Sequence, residues 1–205
     1  MVNKRQVSII LASASPRRRQ LLAKAGYKFK VVPSDIDESA FPATGLSATE
    51  YAKGLALAKA RKVAGKFPDC LVIGVDTVVD FNGEIIGKPA DAKEAELITR
   101  KLFSAPHKVI TGVAIVRLSD GAEITDSDTT IVYPKRLTDE PFGSELRAEL
   151  QIARHIKGLS WRGKAGAYAI KEKGDEFVER IDGSLTNVMG LPMELLERML
   201  KRFLR

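Results

Sequence analysis

Cysteine is almost missing from this chain of 205 residues. The single Cys70 excludes an internal disulfide framework and fits a reducing compartment, and its place at the head of an apolar run reads as core. Aromatic side chains make up only 6% and do not alternate with Lys and Arg. That argues against the stacking platforms of single-strand nucleic-acid binders. No apolar stretch is long enough to span a bilayer, and the run after residues 1–5 is too short for a secretory leader. A soluble, cytoplasmic protein without a membrane partner is expected. The two histidines, His107 and His155, stand far apart with no zinc-type spacing, and His107 reads as a strand-entry residue. No Gly-x-x-x-x-Gly-Lys-Ser/Thr is present, which excludes a P-loop, and no Gly-x-Gly-x-x-Gly follows a strand. Ser13 and Ser15 lack the Gly-x-Ser-x-Gly setting of a hydrolase nucleophile.

What is present suits an ordered globular chain: 44% hydrophobic residues and a net charge of +7. The basic residues are dispersed, so the excess reads either as solvated surface or as a field for a small anion, with nucleic acid disfavoured. The pattern predicts strands at residues 7–12, 27–33, 71–81, 84–87, 108–118, 122–133, 165–170 and 177–182. It predicts helices at residues 16–25, 47–64, 91–103, 138–156 and 192–204, the second opened by the capping box Ser47-Ala48-Thr49-Glu50. Its apolar stripe is read as Tyr51, Leu55, Ala58 and the stem of Lys62. Asn82-Gly83 and Asp120-Gly121 mark hairpins that interrupt any strict strand–helix alternation. The expected fold is α/β, a mixed twisted sheet with flanking helices, as a single domain of two lobes over residues 1–205 around a cleft.

Three places stand out chemically. Ser13-Ala14-Ser15-Pro16-Arg17-Arg18-Arg19 joins a buried strand to a helix. Ser15 suits the N-cap and Pro16 the first helical position, so free amides, hydroxyls and guanidinium groups gather where a polyphosphate could sit. Asp76 lies inside the apolar run Leu71-Val72-Ile73-Gly74-Val75-Asp76-Thr77-Val78-Val79, where a lone carboxylate costs several kcal/mol, at order-of-magnitude level, unless paired or bound to a metal. The alternative is a carboxylate capping a bulge. Lys59 borders an apolar helix stripe, Lys88 is presented from Gly87-Lys88-Pro89, and Glu38 sits in an acidic loop. Taken alone, Lys59 reads as well as a snorkelling lysine, Lys88 reads rather as a surface turn, and Glu38 as part of a solvated loop. Two carboxylates from separate loops could hold a divalent ion.

The ordered set Leu11–Arg18, Ser34-Asp35-Ile36-Asp37-Glu38, Val75–Val79, Gly87-Lys88-Pro89, Lys164-Ala165-Gly166-Ala167-Tyr168 and Asn187-Val188-Met189-Gly190-Leu191-Pro192 resembles the Maf family of nucleoside triphosphate pyrophosphatases. The resemblance runs from about residue 7 to the last helix. It implies a fold related to the inosine triphosphate pyrophosphatases and hydrolysis of a nucleoside triphosphate to monophosphate and pyrophosphate. It further implies a divalent metal (Mg or Mn) and a homodimer. Glu38, Lys59, Asp76 and Lys88 fall on the family's catalytic positions, with Asp76 and Glu38 as metal ligands and Asp76 matching its proton acceptor. Ser13, Arg17 and Arg18 fall on its phosphate-binding motif. Thr77 resembles the branch acting on dTTP and UTP, whereas Lys171 stands where that branch has Gln, and Gly163 where most members have Asp. A modified nucleotide is the other substrate class considered. The competing class is a nucleotide-binding regulator of septum formation with little or no turnover.

Overall fold

The computed structural model describes residues 8–135, 144–170 and 177–204, with the backbone alone for residues 144–148. The predicted helix start near Thr138, and Lys171, lie outside the described residues. The sheet has seven strands: β1 (Ile9–Leu11), β2 (Phe29–Val31), β3 (Leu71–Phe81), β4 (Glu84–Ile86), β5 (His107–Arg117), β6 (Ala122–Pro134) and β7 (Val178–Asp182). Their order is β2-β1-β3-β5-β6-β7, with β4 beside β3. The β1–β2 and β1–β3 pairs are parallel and every other pair is antiparallel, so the sheet is mixed, as expected. The helices are α1 (Pro16–Lys24), α2 (Ala48–Ala64), α3 (Ala92–Leu102), α4 (Ser144–Lys157), α5 (Leu185–Val188) and α6 (Met193–Leu200). Among the described residues no helix is long and apolar enough to cross a membrane.

One feature of the sheet positions everything else. β5 covers one edge of β3 from Val72 to Asp80. The other edge is shared: β1 takes Leu71–Ile73 and β4 takes Val79–Phe81. Residues 74–78 therefore have no strand partner on that side among the described residues, and Asp76 and Thr77 sit in the gap. Separate apolar clusters flank it. Leu11, Ile73, Ile115 and Leu196 belong to one, and Val79, Leu102, Phe103 and Phe177 to the other.

α2 lies against the sheet at unusually short range. A Cβ on Gly74 would fall 2.1 Å from the Ala56 carbonyl oxygen, and one on Gly112 would fall 2.4 Å from that of Ala52. Those two glycines and the small residues Ala52, Ala56 and Ala60 let backbone meet backbone. The buried stripe of α2 therefore lies at a different angle from the one the hydropathy pattern predicts. Leu55 is buried as expected, but Tyr51 and Ala58 are only half-buried, and the alanine row with Lys59 and Val63 faces the sheet. Alanine carries a weak hydropathy signal, so the larger side chains dominate the periodic pattern.

Two other expectations change. Residues 165–170 do not form a strand. Ala165–Ala167 is a 3-10 turn with Gly166 at φ 72°, a conformation that breaks extended pairing. The short α5 was not predicted, since four residues give no periodic signal.

Replacing Gly74 by Ala is expected to cost about 1–3 kcal/mol or more, because rigid backbone must move to admit the methyl group. Urea denaturation of Gly74→Ala against the parent chain measures this, and an unchanged midpoint would refute the close-packing account.

Candidate functional site

The close approach of α2 decides where Lys59 goes. Gly74 and Asp76 are two residues apart in β3 and share its α2-facing side, and Asp76 is opposite Gly112 in β5. Lys59, 5% exposed, thus reaches Asp76, 4% exposed, with Nζ 2.6 Å from Oδ1. The same ammonium donates to Glu38 Oε1 at 2.7 Å, and Lys88 Nζ donates to Glu38 Oε2 at 2.6 Å. Four residues predicted from separate segments form one alternating run, Asp76–Lys59–Glu38–Lys88. A buried ion pair is weak as a stabilising device, since desolvation offsets much of the attraction. Its retention in a packed sheet points to chemistry.

The loop that carries Glu38 is fastened to α2. Lys62 Nζ donates to the Asp35 carbonyl at 2.6 Å, and the Phe41 ring packs edge-on against Tyr51 at 5.4 Å. Asp37 caps the turn at Glu38–Ala40 by accepting from the Ser39 amide and hydroxyl.

The two carboxylates differ electrostatically. Burial pushes the Asp76 pKa up from its ordinary value, and the opposing pull of Lys59 and Arg18 does not undo this. Burial also acts on Glu38, but hydrogen bonds from Lys59 and Lys88 prevail and lower it to about 2. One carboxylate is poised to take a proton and the other stays ionised.

The serine–arginine segment forms the adjoining wall. α1 begins as expected, with Ser15 as N-cap and Pro16 in the first turn. Arg18 spans the unpaired edge of β3. Its Nε donates to the Gly190 carbonyl (2.8 Å), Nη1 to Ser13 Oγ (3.1 Å) and the Val75 carbonyl (3.0 Å), and Nη2 to Thr77 Oγ1 (3.0 Å). Four of its five N–H groups are thus engaged by the protein. Arg18 offers the cleft a fixed charge more than free donors. Arg17 Nη2 donates to the Ile170 carbonyl at 3.1 Å. Arg19 is exposed.

A cavity of about 720 Å³ brings these groups together. Ser13, Arg17, Arg18, Glu38, Lys59, Asp76, Thr77 and Lys88 all line it. Lys164 and Tyr168, from the Lys164–Tyr168 motif but given no role from the sequence, line it too, as does Arg162, which the sequence did not mark. Burial, with Arg17 nearby, lowers the Lys164 pKa. His107 fixes Tyr168: its Nδ1 faces the Leu102 carbonyl, so Nε2 accepts from the tyrosine hydroxyl at 2.9 Å. His107 does open β5, as expected. Trp161 is core, with Nε1 donating to the Ile156 carbonyl, and is not a base-stacking surface. Cys70 is half-buried against the α2 cluster. Six cations against Asp35, Glu38 and Asp76 make the cleft suited to a polyanion.

Among the described residues no group of three or more His, Cys, Asp or Glu side chains could by itself hold a metal ion. Asp76 and Glu38 are the two cleft carboxylates joined through Lys59, and Asp76 Oδ2 makes no hydrogen bond among the described residues.

The chain is 42% identical over 197 residues to a dTTP/UTP pyrophosphatase of Elusimicrobium minutum (strain Pei191), covering 96% of this chain and 99% of that protein. It is 45% identical over 186 residues to a dTTP/UTP pyrophosphatase of Alkaliphilus oremlandii (strain OhILAs), covering 90% of each. The solved structure of the Staphylococcus aureus Ham1 protein superposes with a TM-score of 0.52 at 16% identity, over 95% of this chain and 98% of that one, a likeness of fold. The family model for Maf-like proteins matches residues 8–203, and the chain belongs to that family.

Proposed function

We propose that this protein hydrolyses a nucleoside triphosphate, dTTP, UTP or a modified relative, to the monophosphate and pyrophosphate. The observation that carries the reading is the Asp76–Lys59–Glu38–Lys88 run in a cationic cleft beside a helix N-terminus. The names of the relatives supply the substrate class. The two apolar clusters would be the lobes of one domain gripping the triphosphate between them.

In this reading a water attacks the α-phosphorus and its proton passes to Asp76. The bond from that phosphorus to the α–β bridging oxygen breaks, and pyrophosphate departs with the oxygen. The raised pKa of Asp76 and its unengaged Oδ2 suit it to receive the proton. Glu38, ionised throughout, holds Lys59 and Lys88 in place, and those ammonium groups with Arg17 and Arg18 offset the triphosphate charge.

A divalent cation fits this donor set when substrate completes it. Mg²⁺ is commonly held by one or two carboxylates together with phosphate oxygens. Asp76 and Glu38 would be those carboxylates. When bound, the ion would neutralise phosphate charge and polarise the attacking water. A cytoplasmic homodimer is part of the proposal on the resemblance alone, and light scattering at twice the chain mass would support it.

Asp76→Asn is expected to lower kcat by about 10²–10⁴-fold while thermal unfolding stays cooperative. Pyrophosphate release from UTP and dTTP measures it. Full activity in the variant sinks the site, and orthophosphate as the first product replaces this reading with that of a phosphatase. Nucleotide bound without any product would favour the regulator.

Chelation is expected to abolish turnover, with Mg²⁺ or Mn²⁺ restoring it. Turnover that survives exhaustive chelation refutes the metal.

Proton linkage gives opposite signs for the two carboxylates. Glu38 contributes stability that is fully present above its unfolded value of 4.5 and is lost as pH falls toward about 2. Urea titrations should therefore show Glu38→Gln differing most from the parent above 4.5, with the gap closing in acid. The acid limb of the kcat/KM profile should lie above the ordinary carboxylate range, where Asp76 titrates. A limb at lower pH would refute Asp76 as the base.

A further inference from the structure

Three of the four carboxylate oxygens in the Asp76–Lys59–Glu38–Lys88 run are engaged by ammonium groups. Lys59 Nζ donates to Asp76 Oδ1 at 2.6 Å and to Glu38 Oε1 at 2.7 Å, and Lys88 Nζ donates to Glu38 Oε2 at 2.6 Å. Asp76 Oδ2 is the one left without a hydrogen-bond partner among the described residues. The position from which a single cation could touch both Asp76 Oδ1 and Glu38 Oε1 is where the Lys59 nitrogen stands. Two ammonium groups also cancel the formal charge of the two carboxylates. This neutral run sits in a cleft lined by six cationic side chains and three carboxylates.

The ammonium is held where it is. Lys59 is 5% exposed, and α2, which carries it, is seated on the sheet backbone at Gly74 and Gly112. Asp76 belongs to that sheet. The Glu38 loop is tied to the same helix through Lys62 Nζ, which donates to the Asp35 carbonyl at 2.6 Å. Both carboxylates are thus fixed relative to the helix that supplies their shared cation. Of the three N–H groups on Lys59 two serve the carboxylates, and the third is uncommitted among the described residues. Lys59 lines the cleft and can meet a phosphate without releasing either carboxylate.

We propose that Lys59 is a placeholder for the divalent cation: it keeps Asp76 and Glu38 as a closed, neutralised pair, so that the protein alone does not take up the cation and admits it only together with a triphosphate. The proposal rests on the nucleotide reading above. One open carboxylate oxygen is a poor seat for an ion that dehydrates reluctantly and is ordinarily completed by phosphate oxygens. The cationic lining repels it as well. A triphosphate reverses the sign of the cleft and brings the missing oxygens. Cation and nucleotide affinities are then coupled, and by linkage each raises the other by the same factor.

Water-proton relaxation with Mn²⁺ tests this on the full chain, because the enhancement reports only Mn²⁺ that tumbles with protein and needs no turnover. The parent should hold Mn²⁺ about tenfold or more tightly with the α,β-imido analogue of UTP than without it, within the usual range of coupling between sites. Lys59→Met keeps the apolar stem and removes the charge, so it should bind Mn²⁺ without nucleotide about tenfold more tightly than the parent does. Adding Glu38→Gln to Lys59→Met should abolish that gain. Lys59→Gln, which keeps a donor to Asp76, serves if Lys59→Met does not unfold cooperatively. Equal Mn²⁺ affinity of the parent with and without the analogue overturns the proposal before any variant is made. So does a folded Lys59 variant that binds no more Mn²⁺ than the parent, or a gain that survives Glu38→Gln, which would put the ion elsewhere. Mn²⁺ bound in neither condition overturns the metal in the hydrolase reading and this proposal with it. Ordered Mn²⁺ binding without pyrophosphate release from UTP or dTTP would instead overturn hydrolysis and leave the placeholder standing.

Discussion

The ammonium of Lys59, buried between Asp76 and Glu38, is the contact on which the rest of the site depends. It requires α2 to lie almost on the sheet backbone. That in turn requires Gly74 and Gly112, since a methyl group at either would strike the Ala56 or Ala52 carbonyl. Two absent side chains thus bring a carboxylate and a lysine within 2.6 Å at the centre of a packed domain. The cost of burying both charges is offset only while the pair is intact. Glu38 then extends the pair outward to Lys88, from a buried strand to the mouth of the cleft.

The cleft itself follows from strand pairing. β3 is longer than either β1 or β4, and those two strands share one of its edges without meeting. Backbone polar groups in that gap lack the ladder partners that a continuous sheet would give them. Arg18 meets one of them, at Val75, and reaches the Asn187–Pro192 segment through Gly190. The arginine therefore stiffens the site as much as it charges it. Asp76 and Thr77, neighbours in sequence, point to opposite faces of the sheet. Both still open onto the gap and line one cavity.

Strong local signals were legible in the sequence. The capping box of α2, the Ser15-Pro16 start of α1 and the Asn82-Gly83 hairpin each depend on a few adjacent residues, and each stands where expected. Asp76 was legible because a carboxylate in an apolar run is costly whatever the fold. The alanine face of α2 was not, because small residues barely weight a periodic pattern. Thr111 gave no signal either. It is a hydroxyl in an apolar strand, and its contact with Thr77 comes from lying opposite it across the ladder.

The chemistry available was already written in the amino-acid order: two carboxylates, two lysines, a serine–arginine helix start, and an ordered set of motifs that identifies the family. Those are properties of residue type and local spacing. Folding is what shares Lys59 between both carboxylates, engages four donors of Arg18 with the protein and brings Thr77 against Thr111 across the ladder. Each of these depends on register between strands and on the depth at which a helix seats. Contacts between residues far apart along the chain fix both, and no local pattern encodes them.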